Sequence, residues 1–264
     1  MKLVFDVGAT NTRIARVNDG ALNNVHEFET DASLHGLDTL ITKLAELADG
    51  HQIEVMAGDV PGTISDGVLV SARNLPDWKG AKIVEKLSTH FACSVKLYND
   101  AILCGVGEAH FGSGKPSGEM LYFTISSGVN GVRLINGFPD NSLPEYNLGR
   151  MIVSGGPHQA ADLESLIGGA AIEKRTGHHP RDIRDPEFWQ QEAGYLARGV
   201  YNARLMWNPQ LVVFGGSMMN DISLDQIERV MAELPPAFNH GVELRRAKLH
   251  SEAGLYGAMV YLEK

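Results

Sequence analysis

Residues 3–16 read LVFDVGATNTRIAR, and this stretch decides the fold that the rest of the chain continues. Its apolar start predicts a β-strand, its small and hydroxyl residues predict a turn, and the β-prone residues after them predict a second strand. Asp6 stands where the first strand ends, beside backbone amides that Gly8 leaves unobstructed. Such amides, with the hydroxyls of Thr10 and Thr12, suit phosphate oxygens, and Asp6 can hold Mg²⁺ directly or through water. An ordinary hairpin in which Asp6 caps its own turn fits the stretch equally well.

The same pattern returns at residues 123–137, which read FTISSGVNGVRLING, with Phe123 lying 118 positions after Phe5. The pairs that match at this single offset are Val7 with Ile125, Ile14 with Val132, Val17 with Ile135 and Asn18 with Asn136. Strand, small polar turn, strand and Asn-containing turn therefore recur in step. Two such hairpins in corresponding halves predict a duplicated unit with two facing phosphate loops, and a nucleotide would lie between them.

Composition and charge limit the classes of function. The chain has 264 residues, of which 44% are hydrophobic, and this is enough for two modest domains with separate cores. The net charge of −9 and the lack of a basic run argue against binding to nucleic acid or to an anionic membrane. Cys93 and Cys104 lie in apolar surroundings without metal-ligand spacing, which predicts buried thiols in a reducing compartment and no structural zinc.

A cytoplasmic location is expected from the start of the sequence and from its hydropathy. The first strand follows Met1-Lys2 directly, which leaves no signal peptide, and no apolar run is long enough to cross a bilayer. The sequence is compatible with a homodimer.

The first 111 residues alternate strand and helix patterns, which predicts an α/β domain with a mixed sheet. Strands are predicted at residues 22–28, 53–60, 68–70 and 94–98, and helices at residues 37–47, 79–91 and 101–109. Pro76 blocks a helix in the loop of residues 74–78. Residues 112–118, GSGKPSG, are typical of a linker and predict a domain boundary. Beyond it, helices are predicted at residues 187–207, 224–234 and 254–261.

Asn99 and Asp100 follow the strand predicted at residues 94–98. In open α/β sheets the carboxyl ends of the strands line the ligand crevice, so a carboxylate there can face a substrate hydroxyl. A sugar hydroxyl is a poor nucleophile, and phosphoryl transfer to it needs a carboxylate that accepts the hydroxyl proton. Asp100 could serve as this base, with Asn99 holding the hydroxyls. The alternative is that Asp100 is only the N-cap of the next helix.

Weak motifs are spread in order over nearly the whole chain. They are residues 6–13, Pro61-Gly62, residues 74–78, Asn99-Asp100, residues 124–131, residues 163–165, Asn208-Pro209 with residues 211–216, and residues 253–258. In this order they resemble the motifs of ROK-family sugar kinases. The resemblance implies a glucokinase or related hexose kinase with the two-lobed actin-like ATPase (ribonuclease H-like) α/β fold, with duplicated mixed sheets flanked by helices. The lobes would be residues 1–111 and 119–252, and the C-terminal helix, residues 253–264, would return to the first lobe.

The resemblance also implies roles for particular residues, with ATP and Mg²⁺ as cofactors. Asp100 would be the catalytic base. The residues implied to bind the sugar are Asn74, Asn99, Asp100, Asn147 and Glu164. The residues implied to bind the nucleotide and its phosphates are Asp6, Gly8, Thr10, Arg13, Ser126, Ser127, Gly128, Gly215 and Gly216, with Asp6 meeting Mg²⁺ through the nucleotide. Gly215-Gly216 also fits a strand-to-helix turn that needs positive φ, and both interpretations can hold together.

Two departures from the family pattern alter these expectations. Where the family usually has Gly-Thr-Gly followed by more glycines, residues 126–130 read SSGVN, and we expect the serine hydroxyls to preserve nucleotide binding. Where many members have Glu-Ile-Gly-His, residues 147–150 read NLGR, and residues 154–158, SGGPH, replace the usual cysteine cluster. Arg150 is a permanent cation and cannot bind zinc, so we expect no zinc site and a sugar specificity that can differ from glucose. A local register shift could let Glu145 supply the missing glutamate.

The sequence thus predicts a Mg²⁺-dependent ATP:hexose phosphotransferase whose two lobes close on a glucose-like sugar and exclude water. Its partners would be the hexose and ATP as small molecules. A kinase for an N-acetylated sugar such as N-acetylmannosamine is an alternative, because Asn147 and Arg150 would lie near the ring positions that distinguish the two sugars. A non-catalytic sugar sensor or pseudokinase is a second alternative. The absence of room for a DNA-binding helix-turn-helix before Asp6, and the acidic charge, argue against a repressor.

Overall fold

The computed structural model describes residues 1–115, 118–142, 146–156, 159–236 and 238–263. The strands are β1 (Lys2–Val7), β2 (Asn11–Asn18), β3 (Ala21–Glu29), β4 (Val55–Val60), β5 (Thr63–Ser65), β6 (Val68–Ser71), β7 (Ser94–Asn99), β8 (Glu119–Ile125), β9 (Val129–Ile135), β10 (Phe138–Pro139), β11 (Ile152–Ser154), β12 (Ala161–Asp162), β13 (Leu211–Gly215) and β14 (Glu243–Arg246). The helices are α1 (Gly36–Ala48), α2 (Ile83–Phe91), α3 (Asp100–His110), α4 (Leu163–Ile167), α5 (Gly169–Thr176), α6 (Pro186–Trp207), α7 (Leu224–Glu233) and α8 (Ala253–Tyr261). The chain divides into two compact units, one of Met1–Phe111 with Ser251–Lys264, and one of Gly112–His250.

The first unit is built on a five-stranded sheet in the order β3-β2-β1-β4-β7. β1 pairs antiparallel with β2 and parallel with β4, and β7 pairs parallel with β4. Helix α1 contributes Leu40 and Leu44 to the apolar core that Leu3 and Phe5 of β1 share. Because β1, β4 and β7 run in the same direction, their carboxyl ends lie at one edge of the sheet.

Helices α3 and α8 pack against each other with their backbones in close contact. A Cβ atom on Gly107 would lie 2.2 Å from the Ala253 carbonyl oxygen, and one on Gly257 would lie 1.9 Å from the Leu103 carbonyl oxygen. Neither position therefore tolerates a side chain without a backbone shift. Helix α8 also contacts β1 and β4, and Gly254 in its first turn lies beside Asp6 of β1 and Asp59 of β4.

The second unit repeats the topology of the first. Its five-stranded sheet has the order β10-β9-β8-β13-β14, with β8 antiparallel to β9 and parallel to β13, and with β14 parallel to β13. Leu196 and Val200 of the long helix α6 share a core with Phe123 and Phe214, whose stacked rings have centroids 5.9 Å apart. The duplicated mixed sheets flanked by helices are therefore present, as predicted.

The register of the repeat differs from the predicted one after the turn. In the first hairpin Phe5 pairs with Ile14, whereas in the second Phe123 pairs with Gly131. The counterpart of Ile14 is therefore Gly131, which makes the offset 117 in the second strand, because the second turn is one residue shorter. The predicted matches that are wrong by one residue are Ile14 with Val132, Val17 with Ile135 and Asn18 with Asn136.

The far ends of the two hairpins agree with the shorter offset. Asp19-Gly20 and Asn136-Gly137 both have positive φ, at 51° and 72° in the first turn and at 52° and 82° in the second. Such dipeptides are typical of tight hairpin turns with two left-handed residues. The matching turns are thus Asp-Gly and Asn-Gly, and Asn18 is the last residue of β2.

The segment before α2 is not helical, although a helix was predicted from residue 79. The Gly80 N–H donates to the Leu69 carbonyl (2.8 Å), and the Leu69 N–H donates to the Ala81 carbonyl (3.0 Å). This pairing with β6 occupies backbone groups that a helix would need, so α2 begins only at Ile83. The Pro76–Trp78 segment, predicted as a loop, is a short 3₁₀ turn with proline at its first position.

Two other expectations differ in detail. β4 begins at Val55 rather than at residue 53. Cys93 and Cys104 take part in no disulfide within the described part of the chain, and both are only partly buried. In the described part of the chain, no helix combines the length and the apolar character that crossing a membrane requires.

Candidate functional site

Three carboxylates lie near the carboxyl edge of the first unit's sheet. Asp6 is the penultimate residue of β1, Asp59 is the penultimate residue of β4, and Asp100 is the first residue of α3, directly after β7. Asp6 pairs in register with Asp59 across the two parallel strands. The parallel arrangement thus brings together side chains that are more than 90 residues apart in the sequence.

Asp59 is the member of this group that sequence analysis missed. It is fully buried, and neither carboxylate oxygen has a hydrogen-bond partner among the described residues. Burial raises the pKa of Asp59 well above its ordinary value, and the nearby charges of Asp6 and Asp100 raise it further. The available signal was a single aspartate inside residues 53–60, a segment otherwise expected to form a buried strand.

Asp6 is also buried, and its carboxyl group lies within hydrogen-bonding reach of Asp59. Burial raises the pKa of Asp6, while the interactions with Asp59 and Arg13 act in the opposite direction. The Arg13 Nη1 atom lies 3.8 Å from Asp6 Oδ2, and its Nε atom lies 2.8 Å from Glu27 Oε2. Arg13, on the neighbouring strand β2, is therefore shared between two carboxylates.

The turn between β1 and β2 is held by Thr30. The Thr30 hydroxyl donates to the Gly8 carbonyl (2.8 Å), and the Thr30 N–H donates to the Thr10 carbonyl (2.8 Å). The Thr12 hydroxyl shares a hydrogen bond with that of Thr30 (2.9 Å) and is buried. Thr12 is therefore engaged within the protein rather than presented to phosphate, contrary to the sequence-based expectation, whereas Thr10 is exposed.

Asn99, and not Asp100, is the N-cap of α3. The Ala101 N–H donates to Asn99 Oδ1 (3.0 Å), and the Asn99 side-chain amide donates to the Gly62 carbonyl (2.9 Å). Asp100 is the first helical residue, and its Oδ1 also accepts from the Ala101 N–H (2.9 Å). The alternative that Asp100 is the cap is therefore wrong. Burial raises the pKa of Asp100 to about 6, with a further contribution from the charge of Asp6.

Asn74 also belongs to the first unit. It is exposed and lies in the loop before the Pro76–Trp78 turn.

In the second unit, the turn of Ser126, Ser127 and Gly128 is held by the start of α5. The Gly169 N–H donates to the Ser126 carbonyl (2.7 Å), and the Ala170 N–H donates to the Ser127 carbonyl (3.0 Å). The Ser126 N–H donates to the Gly128 carbonyl (2.8 Å) inside the turn. These bonds define the backbone of the turn.

Glu164, on α4, supports the same turn from another direction. Its Oε2 atom accepts from the Val129 N–H (3.1 Å), and a Cβ atom on Gly128 would lie 2.8 Å from that oxygen. The Arg150 Nη2 atom lies 3.5 Å from Glu164 Oε1, and its Nη1 atom pairs with Asp162 at 2.9 Å. Glu164 is thus placed beside the turn, and a side chain at position 128 would require its carboxylate to shift.

Arg150 and Asn147 occupy the segment where many family members have Glu-Ile-Gly-His. Asn147 is exposed and precedes the short 3₁₀ turn Leu148–Arg150. Asp162, the N-cap of α4, was not singled out in the sequence. Burial acts to raise the pKa of Asp162, but hydrogen bonds from Ser165 and Arg150 outweigh it and lower the pKa. The arginine therefore has two carboxylate partners within its own unit.

The glycine pair at the end of β13 is required by packing. Gly216 has φ +91°, and a Cβ atom there would lie 2.1 Å from the Ile125 carbonyl oxygen. A Cβ atom on Gly215 would lie 2.2 Å from the Tyr122 hydroxyl oxygen. The predicted need for positive φ at this turn is confirmed at Gly216, and the predicted contact with adenosine stays a prediction.

Within the described part of the chain, no group of three or more His, Cys, Asp and Glu side chains is placed to enclose a metal ion. Glu145, Pro157 and His158 lie outside the described residues.

Comparison with known proteins extends these observations. The ROK family profile matches residues 3–264. A fructokinase of Zymomonas mobilis is 26% identical, with 69% of this chain and 67% of the fructokinase covered. A glucokinase of Thermotoga maritima is 25% identical, with 98% of this chain and 96% of the glucokinase covered. The structure of a ROK family glucokinase from Streptomyces griseus, in complex with glucose and AMPPNP, is 18% identical and has a TM-score of 0.80 over 98% of each chain, a likeness that shows the fold. Because the family profile spans nearly the whole sequence and the fold agrees with it, this chain belongs to the ROK family and has the actin-like ATPase fold.

Proposed function

We propose that this ROK family member is a kinase that transfers the γ-phosphoryl group of ATP to a hydroxyl of a glucose-like hexose, giving the sugar 6-phosphate. The observation that carries the proposal is the position and pKa of Asp100, at the carboxyl edge of a parallel sheet, with its pKa raised by burial to about 6. A base with a pKa near the working pH suits proton transfer from an alcohol. Asp100 accepts the hydroxyl proton as the sugar oxygen bonds to phosphorus and the bond to the ADP oxygen breaks.

The remaining predicted residues take supporting roles. The residues proposed to orient the sugar hydroxyls are Asn74, Asn99, Asn147 and Glu164. The residues proposed to meet the nucleotide and its phosphates are Asp6, Gly8, Thr10, Arg13, Ser126, Ser127, Gly128, Gly215 and Gly216. Glu164 keeps acceptor capacity for a sugar hydroxyl, because a carboxylate has about four lone-pair sites. The lobes of the kinase are residues 1–111 with the C-terminal helix, and residues 119–252.

The first unit also has donor atoms that fit Mg²⁺. Asp6 and Asp59 supply carboxylate oxygens, which this hard cation prefers, and both oxygens of Asp59 lack a partner among the described residues. Asp6 would meet the ion through the nucleotide. When bound, the ion neutralises charge that develops on the phosphoryl oxygens.

The proposal is tested by measuring ADP formation with ATP and Mg²⁺ against glucose, fructose, mannose, N-acetylglucosamine and N-acetylmannosamine. Asp100→Asn, which keeps the size of the side chain and removes the base, is measured in parallel. The matched control is Asp19→Asn, because the equivalent turn of the second unit has Asn136 in the same backbone conformation. We expect turnover with one sugar, its loss in Asp100→Asn and its retention in Asp19→Asn. Sugar binding without turnover would instead support a sensor or pseudokinase.

A kinase for an N-acetylmannosamine-type sugar is the second candidate. Residues 147–150 differ from the Glu-Ile-Gly-His of many family members, and Arg150 forms ion pairs there with Asp162 and Glu164. This difference favours the second candidate, because Asn147 and Arg150 would lie near the ring positions that distinguish the two sugars. The same panel decides between the two candidates. A preference for N-acetylmannosamine over glucose, removed by substitution of Asn147 but not of Asp19, would establish the second one.

A further inference from the structure

Arg175 and Glu192 form an ion pair inside the second unit that the proposed reaction does not use. Glu192 lies on α6 with 1% of its side chain exposed, and its Oε1 atom accepts from Arg175 Nη2 at 2.7 Å. The other oxygen, Oε2, has no hydrogen-bond partner among the described residues. An apolar residue at this position would avoid the cost of burying a charge. What the carboxylate adds is an acceptor at a fixed position for Arg175.

Arg175 connects three helices through its guanidinium group. It lies in the last turn of α5, its Nη1 atom donates to the Leu166 carbonyl of α4 (3.0 Å), and its Nη2 atom donates to Glu192 of α6. The ring of Phe188, also on α6, lies 5.6 Å from the guanidinium carbon. The last carbonyls of a helix have no partner within it, so the bond to Leu166 satisfies one of those of α4. Arginine suits this task because its planar group presents several donors in fixed directions.

The junction between α4 and α5 depends on such contacts. The two helices have five and eight residues, and Gly168 between them is extended, with φ −66° and ψ 135°. Helices this short have little stability of their own, so their relative direction is set by the elements that they contact. The two bonds of Arg175 tie both helices to α6, a 22-residue helix that contributes to the core.

The same two helices hold the turn of Ser126 and Ser127 from two directions. The first two N–H groups of α5 donate to the carbonyls of these serines (2.7 and 3.0 Å), and Glu164 of α4 accepts from the Val129 N–H (3.1 Å). A change in the angle between α4 and α5 would therefore move the turn relative to the Glu164 carboxylate.

We propose that Arg175, fixed by Glu192, is a positioning residue that sets the angle between α4 and α5 and so holds the Ser126-Ser127 turn and Glu164 in one arrangement. The inference rests on the proposed function for the role of the turn toward phosphate and of Glu164 toward the sugar. Neither Arg175 nor Glu192 was singled out in the sequence.

The test compares four variants of the full-length protein. Arg175→Met removes both hydrogen bonds, and Glu192→Leu, which leaves no buried charge, is the second variant should the first fail to fold. Glu192→Gln also removes the charge but keeps an oxygen that can accept from Arg175. Arg184→Met is the matched control, because Arg184 donates to the Arg181 carbonyl only three residues earlier.

The first measurement is amide hydrogen exchange of the ligand-free protein, followed by nuclear magnetic resonance. The N–H groups of Val129, Gly169 and Ala170 should exchange at least about tenfold faster in Arg175→Met and Glu192→Leu, relative to those of Val212 and Val213 in β13. Glu192→Gln and Arg184→Met should match the unmodified protein. Acceleration of all five amides by one factor, or an equal effect of Glu192→Leu and Glu192→Gln, would overturn the inference. No ATP or sugar is present, so failure of the kinase proposal would leave this result unaffected.

The second measurement is the kinase assay. Arg175→Met should raise KM for Mg·ATP at least about threefold and change kcat by less than about twofold, because the turn would hold phosphate in the ground state and in the transition state alike. Glu192→Gln should keep the KM of the unmodified protein. Faster exchange in Arg175→Met with unchanged KM would overturn the role in positioning the turn for phosphate.

Discussion

Lowering the pH from 7 to 5 should remove about nine-tenths of the kinase activity if Asp100 is the base. Its pKa of about 6 results first from burial and then from the charge of Asp6, against hydrogen bonds from Ala101 and Asn99 that stabilise the charged form. With this pKa, about 90% of Asp100 is deprotonated at pH 7 and about 9% at pH 5. An aspartate with the ordinary value of 3.8 would still be about 94% deprotonated at pH 5.

The quantity to measure is kcat/KM for the sugar at saturating Mg·ATP, because it reports the pKa of an essential base in the enzyme that has not yet bound the sugar. The rate should fall tenfold per pH unit below about pH 6. Each sample is returned to pH 7 and measured again, since recovery of full activity separates protonation from acid unfolding. At pH 7, Asp100→Asn should lower kcat by about 10² to 10⁴.

A kcat/KM that stays constant down to pH 5 would refute the reasoning, since it would mean either that Asp100 is not the base or that burial does not raise its pKa. Activity of Asp100→Asn above a tenth of the unmodified rate would exclude the base role directly. A decline with a midpoint near pH 4 would keep Asp100 as the base and contradict only the pKa argument.

Three further predictions concern stability and the second unit. Glu192 is buried, and burial raises its pKa from 4.5 to about 7 against the effect of Arg175. The contribution of Glu192 to stability is therefore complete below about pH 4.5 and is lost as the pH rises through about 7, a decrease of about 3 kcal/mol in the free energy of unfolding. Glu192→Gln should make this decrease smaller when the free energy of unfolding is measured with urea at each pH. Arg150→Gln should raise KM for the sugar by a larger factor than it lowers kcat, because it removes the ion pair that holds Glu164, a proposed sugar contact. It should change the free energy of unfolding by less than about 1 kcal/mol, since the Arg150 side chain is 54% exposed. Equal factors of change in KM and kcat would contradict this role. Gly107→Ala should lower the free energy of unfolding by about 1–3 kcal/mol, because the new Cβ atom meets the backbone of α8. Gly194→Ala is the control and should not destabilise the protein, because no atom lies within 4 Å of a Cβ at that position. Equal effects of the two substitutions would contradict the packing argument.

Residue patterns were sufficient for most of the helices and strands and for the repeat, because the periodicities of helix and strand are local properties. The hairpin of residues 123–137 was predicted from its resemblance to residues 3–16. In the structure each hairpin begins a five-stranded sheet, and the two sheets have the same topology. The error of one residue after the turn has a physical cause. Alternation of side chains along a strand does not reveal how many residues a turn contains, and only the pairing of Phe123 with Gly131 does.

The start of α2 shows a second limit. Apolar spacing alone extended this helix back to residue 79, but Gly80 and Ala81 form hydrogen bonds with Leu69, which lies on another element. Backbone groups that pair with a neighbouring strand cannot also form the hydrogen bonds of a helix.

The partners of Arg150 show a third limit. The permanent charge of arginine predicted the loss of a zinc ligand, but which carboxylates pair with that charge could not be predicted from the sequence.

The sequence by itself determined the order of the elements, the two glycine-containing turns, the family resemblance and the choice of Asp100 as the candidate base. These follow from local periodicity, turn chemistry and residue type. Only the tertiary structure decided that Asp59 lies buried beside Asp6 without a hydrogen-bond partner, and that the pKa of Asp100 is raised to about 6. The physical reason is that burial and charge depend on which strands are neighbours and in which register, and those pairings join residues that are far apart in the chain.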